Sequence, residues 1–309
     1  MKVAIIGGTG FVGLHITRHL LAAGHVPRLL VRPGSESKVE RPESCEIVHG
    51  DVSDPSSLVE CVRGCDAVIY LIGILREFPA QGITFEALQY QGVVDTIAAA
   101  QENCVGRFVL MSANGIRADG TAYQRTKYRA EQALKESGLR WTIFRPSVIF
   151  GDAEGRMEFC SQLKKDIIDS PLPAPLFHAG LLPTKAGLFE LAPVSIEDVA
   201  AAFVLALSES RTESQTYSLC GPERLSWKAI LATIAAASGR TKLMVPAPAL
   251  AIKAAAGLLD RFPWFPISRD QIKMLMEGNV CTENDGFARL GLTPTHFGVD
   301  QLGYLARRD

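Results

Sequence analysis

An excess of charge of either sign is what this sequence lacks. Lys and Arg number 32, Asp and Glu 33, and the formal net charge is −1. With no basic surplus to neutralise phosphates, nucleic-acid binding through bulk electrostatics is not expected. No stretch reaches the roughly 18 uncharged apolar residues of a membrane-spanning helix. The four apolar residues between Lys2 and Gly7 are too few for the core of a signal peptide. Internal repeats and low-complexity tracts are absent. So is any Cys-x-x-Cys: Cys45, Cys61, Cys65, Cys104, Cys160, Cys220 and Cys281 are scattered and odd in number. That pattern fits neither a disulfide framework nor a zinc cluster, and predicts buried free thiols in a reducing cytosol. His15 and His19 have a helical metal spacing, but no carboxylate lies between them and no third ligand is evident, so no metal is expected.

What is there is ordinary globular composition, 47% apolar and 21% charged over 309 residues. The length exceeds what one core usually supports and predicts either one large domain with an appendage or two domains. Short apolar runs at Val3–Ile6, Arg28–Arg32, Glu46–His49, Ala67–Ile72, Arg107–Met111 and Trp141–Phe144 alternate with helical patterns at 11–23, 55–63, 85–102 and 121–136. This rhythm predicts an α/β fold with a Rossmann-type, doubly wound parallel sheet. After Gly151 the rhythm changes. A helix is expected over 154–168, an ordered apolar loop over 170–187, and a capping box at Ser195–Asp198 before an apolar helix. Thr216–Leu219 reads as a strand returning to the sheet, and 225–237, 247–260 and 268–277 as further helices. The expected division is a dinucleotide-binding domain over 1–150, rejoined by about 194–221. The rest, 151–193 and 222–309, is expected to form a smaller, mainly helical substrate cap.

GGTGFVG at 7–13 spaces Gly7, Gly10 and Gly13 for a tight turn, close backbone approach to a pyrophosphate and close helix–strand packing. Thr9, Phe11 and Val12 complete the turn at the helix start, where free N–H groups and the positive dipole end favour phosphate. The second strand ends in Val31-Arg32-Pro33, without the acid that commonly binds the ribose hydroxyls of NAD. Arg32 can instead pair with a 2′-phosphate, so NADP(H) is favoured over NAD(H). Asp51, with Val52 beside it, follows the third strand. It reads either as an acceptor for the adenine amino group or as a turn residue.

Tyr123 and Lys127 stand four apart on a predicted helix and share a face. A cation beside a phenol lowers its pKa from about 10 towards working pH, which suits acid/base chemistry. Ser112, at the end of the fifth strand, can hydrogen-bond a substrate carbonyl or hydroxyl.

GGTGFVG at 7–13, Gly50-Asp51-Val52, Tyr123, Lys127 and RPSVIFG at 145–151 together resemble the short-chain dehydrogenase/reductases of extended, epimerase-like layout. YQRTKYRAEQALKESGLRWTIFRPSVIFG at 123–151, APVSIEDVAAAF at 192–203 and YSLCGPE at 217–223 resemble the atypical subgroup similar to the NADPH-carrying accessory subunit of mitochondrial complex I. The resemblance implies Tyr123 as acid/base, Lys127 as its partner on the nicotinamide ribose and Ser112 as a third member. It also implies Pro146, Ser147 and Val148 facing the nicotinamide and Gly73 near the adenine ribose. Ser112 and Tyr123 are closer in sequence than is usual in that family.

Residues 244–267 read MVPAPALAIKAAAGLLDRFPWFPI, with Phe262, Trp264 and Phe265 set among prolines. A lid over the cleft is one reading. A peripheral membrane or respiratory-complex contact, admitting a quinone- or isoprenoid-like substrate, is the other. His178 is an acid/base candidate, but reads rather as a solvent-facing loop histidine, since nothing nearby fixes its tautomer. Two functions stay open: an NADPH-dependent oxidoreductase or epimerase-type enzyme, and a nucleotide-loaded structural or assembly factor with little turnover. The expected location is cytoplasmic, or peripheral at the inner face of a membrane.

Overall fold

The computed structural model describes residues 1–180, 182–249, 269–283 and 285–306. They fall into two compact units. The first comprises Met1–Pro146, Ile196–Leu219 and Asp285–Thr293. The second comprises the described parts of Ser147–Ser195, Cys220–Asn284 and Pro294–Asp309.

In the first unit, β1 (Lys2–Ile6), β2 (Val26–Val31), β3 (Glu46–His49), β4 (Ala67–Tyr70), β5 (Arg107–Met111) and β6 (Arg140–Pro146) form a parallel sheet. A late strand, Gln215–Leu219, joins it beside β6, giving the order β3-β2-β1-β4-β5-β6 and then the late strand. This is the doubly wound order expected from the strand–helix rhythm. The Ala67–Tyr70 run is fully buried, as a central strand covered on both faces must be. Helices α1 (Phe11–Ala22), α2 (Pro55–Val62), α3 (Gly92–Glu102) and α4 (Ala122–Glu136) lie between these strands in the chain. Local chemistry starts two of them. Asp54 accepts from the Ser56 and Ser57 N–H groups, with Pro55 in the first turn of α2. Thr121 and Gln124 form a reciprocal capping box on α4. The segment expected as one helix from 85 begins instead with a π-turn, Glu86–Gln91.

The second unit departs further from expectation. The predicted helix over 154–168 shortens to α5 (Phe159–Leu163) and a π-turn, Lys164–Ile168. Glu154 and Gly155 have positive φ, which stops a helix, and the Glu158 carboxylate then caps the Cys160 and Ser161 N–H groups. The expected loop 170–187 contains a strand, Ala174–His178, paired in parallel with Met244–Pro248. His178 is therefore not a loop residue. It is buried, and its Nδ1 has no hydrogen-bond partner. Trp227 opens the helix Trp227–Ala237, stacks between Phe177 and Phe189, and donates its indole N–H to Pro175 O at 2.9 Å. Further helices span Arg269–Glu277 in this unit and Gly286–Leu290 in the first. Of the helix expected over 247–260, Ala247 and Pro248 are in the strand. The remainder, and Phe262, Trp264 and Phe265, lie outside the described residues apart from Ala249. No helix among the described residues is long and apolar enough to cross a membrane.

Two cysteines correct the free-thiol expectation. Cys220 and Cys281 form a disulfide, with Cα atoms 6.0 Å apart. Their separation of 61 residues hid the pairing from spacing alone.

Candidate functional site

The turn between β1 and α1 is built from glycine where side chains cannot fit. Gly7 has φ +99°, and its carbonyl accepts from the Gly10 N–H at 3.2 Å. A Cβ on Gly13 would lie 2.4 Å from Gly7 O and 2.6 Å from Gly8 Cα. Backbone blocks it on both sides, so the helix can pack this closely only with glycine. No side chain caps α1, and no acid lies in its first turn. Thr9, Phe11 and Val12 thus frame a positive helix end that suits a diphosphate.

His15 and His19, farther along α1, both bond Glu197 of the helix Ile196–Ser208, each at 2.7 Å. The carboxylate missing between them in sequence arrives from across the fold and clamps two helices. Among the described residues, no group of three or more metal-ligating side chains is placed to hold an ion.

Arg32, just past β2, is exposed and its side chain has no partner among the described residues. Val52 is buried in the core. Asp51 Oδ1 accepts from the Ser53 N–H at 2.9 Å and hydroxyl at 2.7 Å, which is the turn role.

Tyr123 and Lys127 share one face of α4. Tyr123 is half-buried, its ring edge-on to Phe85 at 5.8 Å. Lys127 is 5% exposed and donates to Met111 O at 3.2 Å. Its ammonium is 5.9 Å from the centre of the Tyr123 ring. A Cβ on Gly73 would stand 3.6 Å from that nitrogen, so the loop after β4 passes directly over it. Desolvation pushes the Lys127 pKa down to about 8, and Glu131, one turn further, pulls it back up. Burial pushes the Tyr123 phenol above its ordinary value rather than below it. This differs from the lowering expected of a Tyr–Lys pair. The lysine is directed at a carbonyl, and desolvation dominates the phenol.

Ser112 follows β5. Its N–H donates to Phe144 O at 2.7 Å, while its buried hydroxyl has no partner. Ser112, Met111, Lys127, Tyr70 and Gln89 line one narrow crevice with no room for a water molecule. The short connection to Tyr123 is held along its length. Asn114 N–H bonds Pro146 O at 2.9 Å, and Gln124 Nε2 bonds Gly115 O at 2.9 Å.

The first unit thus brings Ser112, Lys127 and Gly73 together at the ends of β4 and β5, with Pro146 tied to the loop after Ser112, while Tyr123 shares the Lys127 face of α4 but is not among the residues that line the crevice. Ser147 and Val148 belong to the second unit. There the Ser147 hydroxyl donates to Ala192 O, and Val148 O accepts from Val194 N–H at 2.9 Å. Sequence reasoning missed Glu131, Arg145 and Gln89. Glu131 continues the four-residue spacing of Tyr123 and Lys127, and Arg145 sits inside the quoted RPSVIFG run. For Gln89 no sequence signal was present, because its role depends on the π-turn.

Residues 7–167 match the family described as NAD(P)H-binding. Among curated proteins, the chain is 26% identical to the mitochondrial NADH-ubiquinone oxidoreductase 40 kDa subunit of Neurospora crassa, across 97% of this chain and 78% of that one. It is 28% identical to the ceramide reductase of Caulobacter vibrioides, across 65% of this chain and 59% of that one. Among solved structures, the UDP-glucose 4-epimerase of Thermus thermophilus in complex with NAD superposes with a TM-score of 0.72 at 19% identity. That match covers 99% of this chain and 98% of the other. A glycine cradle on an uncapped helix, a parallel sheet in doubly wound order and a family match over more than half its length lead to one conclusion: the chain belongs to the NAD(P)H-binding family, as an atypical, epimerase-like short-chain dehydrogenase/reductase.

Proposed function

We propose that this protein is an NADP(H)-dependent oxidoreductase or epimerase-type enzyme for a small or lipidic, quinone- or isoprenoid-like substrate, with Tyr123 as its acid/base. The observation that carries this reading is the unpartnered, buried Ser112 hydroxyl, which lines the same narrow crevice as Lys127, a crevice that must open for a substrate oxygen to enter. A buried hydroxyl without a partner costs about 1–3 kcal/mol, and a substrate oxygen would recover that.

The nicotinamide supplies hydride chemistry when bound. Gly7, Gly10 and Gly13, with the Thr9, Phe11 and Val12 backbone, would hold the pyrophosphate. Arg32 would pair with the 2′-phosphate, Asp51, Val52 and Gly73 would flank the adenosine, and Pro146, Ser147 and Val148 would face the nicotinamide. Lys127 would hold the ribose from its buried position. Ser112 would orient a substrate oxygen. Tyr123, with its phenol held protonated by burial, would give that oxygen its proton.

Purified protein, denatured and assayed for released nucleotide, should yield NADP(H). NADPH should bind more tightly than NADH, and Arg32→Ala should shrink the difference; equal affinities in the parent protein would end the cofactor assignment. Tyr123→Phe should abolish turnover of an identified substrate while leaving NADPH binding intact. Unchanged turnover would remove Tyr123 from the mechanism.

The second reading is a nucleotide-loaded structural or assembly module for a membrane respiratory or quinone-forming complex. The distance between the lysine and the tyrosine ring favours it, as does a likeness to a respiratory subunit that spans 97% of this chain and 78% of the subunit. It predicts tight NADPH binding with no hydride exchange, and association with membranes or the complex through 244–267.

A further inference from the structure

In the second unit, Pro171, Leu172 and Pro173 lead into the strand Ala174–His178, and Leu243 stands just before its parallel partner Met244–Pro248. The Ala174 N–H donates to Leu243 O at 2.8 Å, which holds the two approaches side by side. Leu172 is 70% exposed and Leu243 69%, and both prolines are exposed with them. A single leucine at a surface needs no explanation, but apolar side chains grouped there mark a contact with something apolar.

The backbone of this tip needs no water at its donors. Pro171 and Pro173 have no N–H. The Leu172 N–H donates to the Ser170 hydroxyl at 3.3 Å, and Leu243 O takes the Ala174 N–H. A surface loop ordinarily leaves donors to solvent and loses those hydrogen bonds when it leaves water. From 171 to 174 this chain can enter an apolar medium without losing a donor's hydrogen bond.

Cations lie behind the tip. The segments 164–173 and 239–243 carry Lys164, Lys165, Arg240 and Lys242 against Asp166 and Asp169. Asp169 is held between Lys164 at 2.9 Å and Arg240 at 3.0 Å. The Lys242 ammonium donates to the carbonyls of Ile168 and Ser170 rather than to a carboxylate. Ser170, Arg240, Thr241 and Lys242 line an open groove of about 610 Å³ that the two leucines also border.

We propose that this tip docks on an anionic lipid bilayer. Leu172 and Leu243 enter the boundary between headgroups and acyl chains, and the cations face lipid phosphate, with the groove taking a headgroup. The core of a protein-binding surface is depleted of lysine and enriched in aromatic anchors. These two segments have three lysines and no aromatic residue. The docking surface is distinct from 250–268, and it goes beyond the hydride chemistry proposed above without depending on it.

The test sediments the purified full chain with vesicles of phosphatidylcholine alone, or with about one third phosphatidylglycerol. The parent should partition onto the mixed vesicles at least about fivefold better than onto the neutral ones, and added salt should weaken that binding. Replacing both leucines, Leu172→Ser with Leu243→Ser, should lower partition at least about tenfold. Melting temperature and NADPH affinity should stay those of the parent, because both side chains lie at the surface. Lys165→Glu, at an exposed position, should lower partition onto the mixed vesicles about fivefold and leave the neutral ones unchanged. A parent that stays in solution with both vesicles overturns the proposal. A double-leucine variant that binds as well as the parent also overturns it. If binding then disappears on adding Trp264→Ser and Phe265→Ser, the contact belongs to 244–267 instead. Self-association of the parent that the leucine variant abolishes, without vesicle binding, overturns the proposal and makes the tip a contact between protein chains.

Discussion

Arg145 on β6 closes two guanidinium nitrogens onto the two carboxylate oxygens of Glu131 on α4, at 2.8 and 2.5 Å. Glu131 is fully buried, and hydrogen bonding to it raises the Arg145 pKa against the pull of desolvation. The pair joins the helix bearing Tyr123 and Lys127 to the strand that ends at Pro146. Arg145→Met should strand a buried carboxylate and cost about 3 kcal/mol in chemical denaturation. Glu131→Gln added to it should recover much of that loss. A single variant as stable as the parent would show that the pair carries no structural load.

Lys127 should give the folded protein a distinctive alkaline response. Its pKa falls from 10.5 to about 8 on folding, so between those values the unfolded chain binds more protons than the native one. Stability therefore rises with pH across that window, and the burial penalty is felt in full below it. The difference in unfolding free energy between parent and Lys127→Met should change by on the order of 3 kcal/mol between pH 7.5 and 10.5. A difference that stays flat with pH would mean that the lysine is not buried as a charge.

Gly10 and Gly13 should separate folding from binding. Gly13→Ala drives a methyl into the backbone of Gly7 and Gly8, so it should lower thermal stability sharply. A Cβ on Gly10 meets nothing closer than Gly7 O at 3.4 Å, and its φ of −79° suits alanine. Gly10→Ala should fold normally and still bind NADPH at least about tenfold more weakly, a loss of about 1.4 kcal/mol, because the methyl occupies the cradle. Titration of both variants alongside melting curves distinguishes the two effects.

The Cys220–Cys281 bridge should be measurable as stability. Closing a loop across a separation of 61 residues corresponds to about 4 kcal/mol in the chain-entropy picture. Replacing both cysteines with Ser should lower the unfolding free energy by that order, and reductant should do so only in the parent.

Legibility in the sequence followed the range of the interactions. Val3–Ile6, Ala67–Tyr70 and the helix from Thr121 announce themselves, because burial on both faces and helical periodicity each leave a mark within a few residues. The strand Ala174–His178 did not, because its partner lies some seventy residues on and includes Pro246 and Pro248, which suggest a loop. Glu197 closing on His15 and His19, and Cys220 finding Cys281, are likewise products of the fold. Tyr123 and Lys127 were visible from helical spacing. The direction of the Tyr123 pKa was not, since it depends on desolvation in the fold rather than on the neighbouring cation.

The strand Gln215–Leu219 carries a consequence for how the chain comes to be folded. It completes the sheet by pairing with β6, yet residues 147–195, which the other unit uses, must be made first. During that interval a nascent chain holding residues 1–146 has an interior strand, β6, posing as an edge, with its ladder of N–H and C=O groups open to any passing strand. A chain cut short after Pro146 keeps that edge for good. Such a fragment should aggregate despite containing the whole glycine cradle and the Tyr–Lys helix.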